Sequence, residues 1–127
     1  MEEKFYFCNT CGNLLLTAIA SGVIPYCCGE KMTLLKPNTH EGATEKHLPQ
    51  ITHVSPGIIK VCIGSEPHPM TEIHNIRFIS LETTNGFLIR YLEPGSPAEA
   101  EFHFEGRPLS AYAYCNIHGL WQTMIPT

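Results

Sequence analysis

Residues 114–121 read Tyr-Cys-Asn-Ile-His-Gly-Leu-Trp, and this is the stretch from which the fold of the chain is best interpreted. It places the thiol of Cys115 and the imidazole of His118 three residues apart, where an apolar strand ends and the chain turns at Gly119. At this spacing both side chains can reach one metal ion. Two ligands do not complete a metal site, so further ligands must come from elsewhere in the chain. The candidates are His47, His68 and His74.

A set of four histidines and one cysteine is too rich in nitrogen for a structural zinc site, which closes at four ligands. The set therefore predicts a redox metal. His68 and His74 lie six residues apart, and Pro69 fixes the backbone after the first, so the intervening residues can loop both imidazoles back to one point. The prediction depends on their convergence with Cys115 and His118, which are distant in sequence.

The composition indicates a folded protein with little helix. A chain of 127 residues is long enough for one ordinary domain, or for a small metal-held unit attached to a modest one. Its 43% of hydrophobic residues predict a buried core, and ten prolines with ten glycines favour an all-β chain. The formal net charge of -4 provides no basic surface, which argues against nucleic acid or an acidic membrane as a partner.

The sequence also predicts a compartment. Residues 1–8 contain no apolar signal segment, and no apolar run is long enough to span a membrane. We therefore expect a cytoplasmic protein. Its six cysteines would stay reduced there, so metal binding is favoured over disulfides.

Four of the cysteines form a second candidate metal site near the N-terminus. Cys8 and Cys11 form a C-x-x-C motif, and the adjacent Cys27 and Cys28 follow after fifteen intervening residues. Four thiolates from two short loops predict a tetrahedral sulfur site for iron or zinc. The pattern departs from a zinc ribbon, because adjacent cysteines must splay apart to bind one ion. A pair of disulfides stays open as the alternative, although a reducing compartment argues against it.

The sequence predicts a chain of two parts, the larger of which is an antiparallel sandwich. We place the boundary near Lys36, because the Lys-Pro-Asn-Thr run that begins there breaks regular structure. From residue 51 onward short β-branched and alternating runs predict strands, and the Asn85-Gly86 pair predicts a hairpin turn. Short strands at this spacing are typical of a sandwich. The predicted strands are residues 57–64, 76–81, 87–92, 98–104, 109–114 and 120–125.

Four other side chains of metal-binding type are not expected to be ligands. His40 lies in the predicted linker, and we interpret it as an exposed, solvated histidine. His53 and His103 have no partner at ligand spacing, and His103 alternates with phenylalanines in a strand. Cys62 lies in the middle of a strand, where a free cysteine behaves as a small buried hydrophobe.

Taken together, these motifs resemble the desulfoferrodoxin family, the two-iron class of superoxide reductases. The resemblance covers nearly the whole chain. It rests on the C-x-x-C motif with the Cys27-Cys28 pair, on Glu45-Lys46-His47 followed by Pro49, on His68-Pro69-Met70 with His74, and on Cys115-Asn116-Ile117-His118-Gly119-Leu120-Trp121.

The resemblance implies a fold and two sets of metal ligands. Residues 1–36 would form a desulforedoxin-like domain with one iron on Cys8, Cys11, Cys27 and Cys28. Residues 37–127 would form an immunoglobulin-like β-sandwich that carries the second, catalytic iron. The implied ligands of that iron are His47, His68, His74 and His118 in one plane, with Cys115 axial.

The resemblance also implies a reaction. Ferrous iron at the second site would reduce superoxide by one electron to hydrogen peroxide, and an external donor such as rubredoxin would re-reduce the iron. Lys46, next to a ligand, would attract the superoxide anion and hold the water that supplies protons. Glu45 would bind the iron once it is oxidised. Members of this family form homodimers, so we expect one here.

Two other functions compete with this interpretation. One is a copper electron carrier without enzymatic activity, but blue-copper sites use two histidines, a cysteine and a weak methionine, so four histidines argue against it. The other is a binding module in which zinc only holds the small unit together. Metal analysis separates the three, because the reductase requires about two irons per chain.

Overall fold

The computed structural model describes residues 4–40 and 44–126, and the chain divides into two compact units, Met1–Lys36 and Pro37–Thr127. Nearly all of the regular structure is strand, which confirms the predicted all-β fold class. Among the described residues the only helix is α1, a single turn at Thr44–His47. No described helix is long and apolar enough to cross a lipid bilayer.

The described part of the smaller unit contains five short strands in two antiparallel sheets. These strands are β1 (Phe5–Phe7), β2 (Leu14–Leu16), β3 (Tyr26–Cys27), β4 (Glu30–Lys31) and β5 (Thr33–Leu34). β1 lies between β2 and β5, and β3 pairs with β4. Tyr6, Cys8 and Met32 form its buried cluster. A core of this size is small for a folded unit, which favours further stabilisation by a bound metal.

The larger unit is an antiparallel β-sandwich, as the sequence predicts. After α1 its strands are β6 (Pro49–Ser55), β7 (Ile58–Ile63), β8 (Ile76–Thr83), β9 (Gly86–Tyr91), β10 (Glu99–His103), β11 (Pro108–Cys115) and β12 (Gly119–Met124). One sheet has the order β10-β7-β6 and the other has the order β12-β11-β8-β9. The predicted hairpin joins β8 to β9, and residues of both sheets form one core.

The alternation of β7 decides which of its side chains enter that core. Ile59, Val61 and Ile63 are buried, because successive residues of a strand point to opposite faces. Cys62 therefore points outward and is only half buried, with its Sγ 3.9 Å from Oε1 of Glu99. The expectation of a buried Cys62 is wrong for this reason.

All segments that carry the predicted ligands of the second site meet at one end of the sandwich. Cys115, the last residue of β11, pairs with the first residues of β8 and β12. The first residue of β6 pairs with the last residue of β7. Therefore α1, which precedes β6, lies at the same end as the connection at residues 64–75 and the turn at residues 116–118.

Gly64 allows the connection after β7 to pass close to α1. Its φ is +84°, and a Cβ atom there would lie 2.5 Å from the backbone oxygen of Lys46 and 2.8 Å from that of Glu66. We predict that Gly64→Ala lowers the free energy of unfolding in urea by at least about 1 kcal/mol more than Gly95→Ala does. Gly95 is the matched control, because its φ is +94° and a Cβ atom there meets no heavy atom within 4 Å. Equal destabilisation by the two substitutions would contradict the close approach.

Candidate metal centres

Four sulfur atoms of the smaller unit converge on one point. The ligand atoms of Cys8, Cys11, Cys27 and Cys28 all lie within 4.8 Å of one another. The Sγ atoms of Cys11 and Cys27 are 3.6 Å apart, and those of Cys27 and Cys28 are 4.0 Å apart. Four sulfurs bound to one ion at about 2.3 Å would be separated by roughly 3.8 Å. The cluster therefore has the size of a tetrahedral four-sulfur metal site.

The backbone conformation of residues 28 and 29 allows the adjacent Cys27 and Cys28 to direct their sulfurs to one point. Cys28 has a φ of 55°, in the left-handed region that few residues other than glycine adopt, and Gly29 follows with a φ of 76°. This turn between β3 and β4 rotates the second sulfur away from the first and toward the shared point. All six cysteines lie in the described part of the chain and are free, so the structure contains neither of the two disulfides considered above.

The charges of these sulfurs also favour a cation. The backbone N–H of Cys11 donates to Sγ of Cys8 at 3.4 Å and lowers the pKa of Cys8 to about 6. The contact with the sulfur of Cys11 is the main cause that raises the pKa of Cys27, to about 12. One thiolate therefore forms readily, whereas further thiolates beside it are unfavourable until a positive ion is bound.

Four imidazoles of the larger unit form a closed ring. Each ring lies edge to face against the next, with centroid distances of 4.9, 4.7, 5.1 and 4.6 Å around the circle. Their order around it is His47, His68, His74 and His118. Sγ of Cys115 lies 3.7 Å from Nε2 of His68 and 3.7 Å from Nδ1 of His118. Five donor atoms from four separate segments thus face one another.

Trp121 holds two of these histidines. Its ring is fully buried and stacks on the imidazole of His47, with centroids 4.9 Å apart and planes inclined by 16°. Its Nε1–H donates to the backbone oxygen of His118 at 3.1 Å. As a result Nε2 of His47 is directed at Nδ1 of His118, only 3.0 Å away.

Three of the imidazoles, those of His68, His74 and His118, are held in the neutral form that binds metals. Nδ1 of His68 lies 2.7 Å from the backbone oxygen of Pro69, which places the ring proton on Nδ1 and leaves Nε2 as a lone-pair donor toward Cys115. Burial lowers the pKa of His68 to about 4, and burial also lowers the pKa values of His74 and His118. Neutral imidazoles at neutral pH need lose no proton when a metal binds.

Two further observations indicate that a cation belongs at this point. Nε2 of His74 is buried and has no hydrogen-bond partner among the described residues, although such atoms are normally satisfied. Cys115 is fully buried, and burial raises its pKa, an effect that the N–H groups of His118 and Ile117 partly oppose. A metal ion would satisfy the first atom and stabilise the thiolate of the second.

A cavity of about 370 Å³ lies over the ring of imidazoles. Its charged lining side chains are Lys46 and Glu66, and Pro67 and Pro69 form part of its wall. It is large enough for a diatomic molecule together with several waters. The arrangement can therefore bring a small oxidant to a metal ion held by the five donors.

Comparison with known proteins identifies the family. Residues 39–124 match the family model described as Desulfoferrodoxin. A desulfoferrodoxin of Nitratidesulfovibrio vulgaris is 41% identical over 121 residues, which are 95% of this chain and 95% of that protein. The chain belongs to the desulfoferrodoxin family.

Solved structures agree with this membership. A crystal structure of the superoxide reductase from Treponema pallidum has a TM-score of 0.77 and 30% identity, and the match covers 94% of this chain and 98% of that chain. A one-iron superoxide reductase from Giardia intestinalis has a TM-score of 0.56 and 30% identity, covering 65% of this chain and 99% of that chain. The resemblance inferred from the motifs is thus confirmed, and the four-sulfur and four-imidazole clusters are consistent with two iron ions.

The structure places most, but not all, of the predicted site residues at the two clusters or at the cavity. All nine predicted ligands lie in the two clusters, and Lys46 lines the cavity. The carboxylate of Glu45 is exposed and is not among the described groups that line the cavity, whereas its backbone oxygen accepts hydrogen bonds from Ser65. The roles of these residues in binding and catalysis stay predictions.

The sequence alone indicates no role for His40, Trp121 and Glu66, which lie near the site. His40 is exposed, as expected, but its ring lies 5.6 Å from that of His118. Asn38 holds it there by exchanging hydrogen bonds of 2.8 and 3.0 Å with the backbone of Gln122. Trp121 was part of the quoted motif, and Glu66 lies two residues before His68, but neither spacing indicates a contact with the site.

Proposed function

We propose that this member of the desulfoferrodoxin family is a superoxide reductase, which adds one electron and two protons to superoxide and releases hydrogen peroxide. The observation that supports this most strongly is the set of four imidazoles and one buried thiol that face one point beneath a cavity. Five donors leave one position free on a metal that prefers six ligands, and a small anion can occupy it. The similar proteins of Treponema pallidum and Giardia intestinalis are named superoxide reductases.

Iron suits this donor set. Imidazoles are common ligands of iron, and copper carriers of the blue type use fewer of them. A ferrous ion held by these residues would supply the electron that superoxide accepts, and an external electron donor would then reduce the ferric ion again. The neutral rings of His68, His74 and His118 and the single negative charge of the Cys115 thiolate would leave the ferrous site with a net positive charge, which favours an anionic substrate.

Lys46 is the proposed steering and proton-handling residue. The chain carries a net charge of -4, so attraction for superoxide must be local. The ammonium group of Lys46 is the positive charge of the cavity lining, and its N–H groups can hold water from which protons pass to the substrate. Glu66 belongs to the same lining, and its carboxylate lowers the net positive charge of the cavity.

Glu45 is proposed to bind the iron after oxidation, a role that rests on the family resemblance. Its carboxylate is exposed, and the described groups that line the cavity do not include it. The role therefore requires its side chain to turn toward the cavity, which an exposed position in a one-turn helix permits.

The remaining parts of the proposal concern partners and surroundings. We propose an external one-electron donor such as rubredoxin, with the four-sulfur iron as a centre of electron-transfer type. We propose a homodimer, and the smaller unit offers strongly exposed apolar side chains, Ile19 and Val23, that such contacts would cover. Six free thiols favour a reducing compartment, for which we propose the cytoplasm.

Mixing the reduced protein with superoxide in a stopped-flow instrument tests the reaction. We predict about one hydrogen peroxide per superoxide consumed and no dioxygen, because the substrate is only reduced. His118→Ala should abolish the fast consumption of superoxide while the iron bound to the four cysteines is retained. The iron of the four-sulfur site is therefore the internal control.

Three results would contradict the proposal. Release of dioxygen would indicate dismutation, full turnover by the His118→Ala protein would remove the site assignment, and copper or colourless zinc in the purified protein would favour one of the two rival functions.

Lys46→Ala tests the steering role. We predict that it slows the second-order reaction with superoxide by about tenfold at low salt and flattens the dependence of the rate on ionic strength. Lys46→Arg keeps the charge and should retain most of the rate. Lys60→Ala is the matched control, because it removes a lysine that pairs with Glu99 on the outer face of β7. If Lys46→Ala and Lys60→Ala have the same rate and salt slope, the steering role is wrong.

A further inference from the structure

The ladder of backbone hydrogen bonds between β8 and β11 is irregular next to His74 and Cys115. His74 belongs to the connection before β8, and Cys115 is the last residue of β11. The register between these two strands shifts just before Cys115, because Tyr114 pairs with Phe78 whereas Cys115 pairs with Ile76. A bulge of this kind ends the regular ladder beside the site. Contacts beside this irregular part of the ladder therefore contribute to fixing the imidazole relative to the sulfur.

The side chain of Asn116 makes such contacts. Its Oδ1 accepts a hydrogen bond of 2.9 Å from the backbone N–H of Asn75, and its Nδ2 donates one of 3.0 Å to the backbone oxygen of Ile73. The backbone N–H of Asn116 also donates to the backbone oxygen of Asn75 at 3.1 Å. Ile73 and Asn75 are the two neighbours of His74, so one residue next to Cys115 holds the chain on both sides of that histidine.

The segment that Asn116 holds is itself a closed turn. The hydroxyl of Thr71 accepts from the backbone N–H of His74 at 3.1 Å and lies 3.2 Å from the His74 oxygen. Nδ2 of Asn75, a buried residue, donates to the backbone oxygen of Thr71 at 2.8 Å. Because the turn is bonded internally, it moves as one body, and the bonds to Asn116 set where that body lies relative to β11.

We propose that Asn116 is a positioning residue that fixes Nε2 of His74 and Sγ of Cys115 at the spacing one metal ion requires. The inference rests on the proposed function only in that both groups hold the same ion. Asn116 touches neither donor atom, and it acts through the backbone of its neighbours. Groups that orient metal ligands in this way typically affect metal affinity by 10- to 100-fold.

Release of ferrous iron to a chelator tests this role without reference to turnover. The thiolate-to-iron absorption of the second site reports its occupancy after oxidation, and the four-sulfur iron in the same chain is the internal reference. We predict that Asn116→Ala releases iron from the second site about tenfold faster than the unsubstituted protein and shifts this absorption band, while release from the four-sulfur site is unchanged. The band shift is expected because the imidazole and the sulfur no longer keep their spacing.

Two further variants complete the design. Asn116→Asp keeps an acceptor for the N–H of Asn75 but loses the donor to Ile73. We therefore expect its rate of iron release to lie between those of the unsubstituted protein and Asn116→Ala. It also carries the test if the alanine variant fails to fold. Asn85→Ala is the control, because it changes an exposed asparagine of the hairpin turn at the opposite end of β8.

Several outcomes would overturn the inference. One is an unchanged rate of iron release and an unchanged absorption band in Asn116→Ala. Equal loss of iron from both sites of Asn116→Ala, or equal loss from the second site in Asn116→Ala and Asn85→Ala, would also overturn it, because either result would indicate general destabilisation. A failure of the proposed function looks different, because the unsubstituted protein would then bind iron and yet consume no superoxide.

Discussion

The larger unit must hold metal-binding groups in contact at one end of a sandwich, and this crowding is the constraint on which its site depends. Nε2 of His47 and Nδ1 of His118 are 3.0 Å apart, and Sγ of Cys115 is 3.7 Å from two ring nitrogens. Burial favours the neutral imidazoles of His68, His74 and His118 and disfavours the free thiolate of Cys115. A cation converts this costly arrangement into a stable one, because every lone pair then has a partner.

In the larger unit, paired strands hold in place the short segments that carry the metal-binding side chains. Strands β7 and β11 end, and β6, β8 and β12 begin, beside one another, so the short segments next to these strand ends bring the predicted ligands to one place. Trp121 fixes His47 and the turn at His118, and Asn116 links the turn at His74 to β11. The smaller unit uses different means, with two residues of positive φ directing adjacent sulfurs to one point.

Most of the fold and the two clusters of metal-binding side chains could be predicted from the sequence, because many of their features leave local signals. The alternation of β7, the Asn85-Gly86 turn and the C-x-x-C motif are examples. The stacking of Trp121 on His47 and the contact of His40 with His118 leave no such signal, because each joins residues that are distant in sequence. The apolar neighbours of Cys62 in the sequence predict a buried side chain. The alternation of β7 instead directs this side chain outward.

The central claim is that four imidazoles and the sulfur of Cys115 bind one iron ion. X-ray absorption at the iron edge tests it most directly, in a Cys8→Ser, Cys11→Ser variant whose only remaining iron is the second one. The account predicts one sulfur neighbour and about four nitrogen neighbours at this iron, and the sulfur should disappear when Cys115→Ser is added. An iron without a sulfur neighbour in the first variant, or with one that persists after Cys115→Ser, would contradict the account.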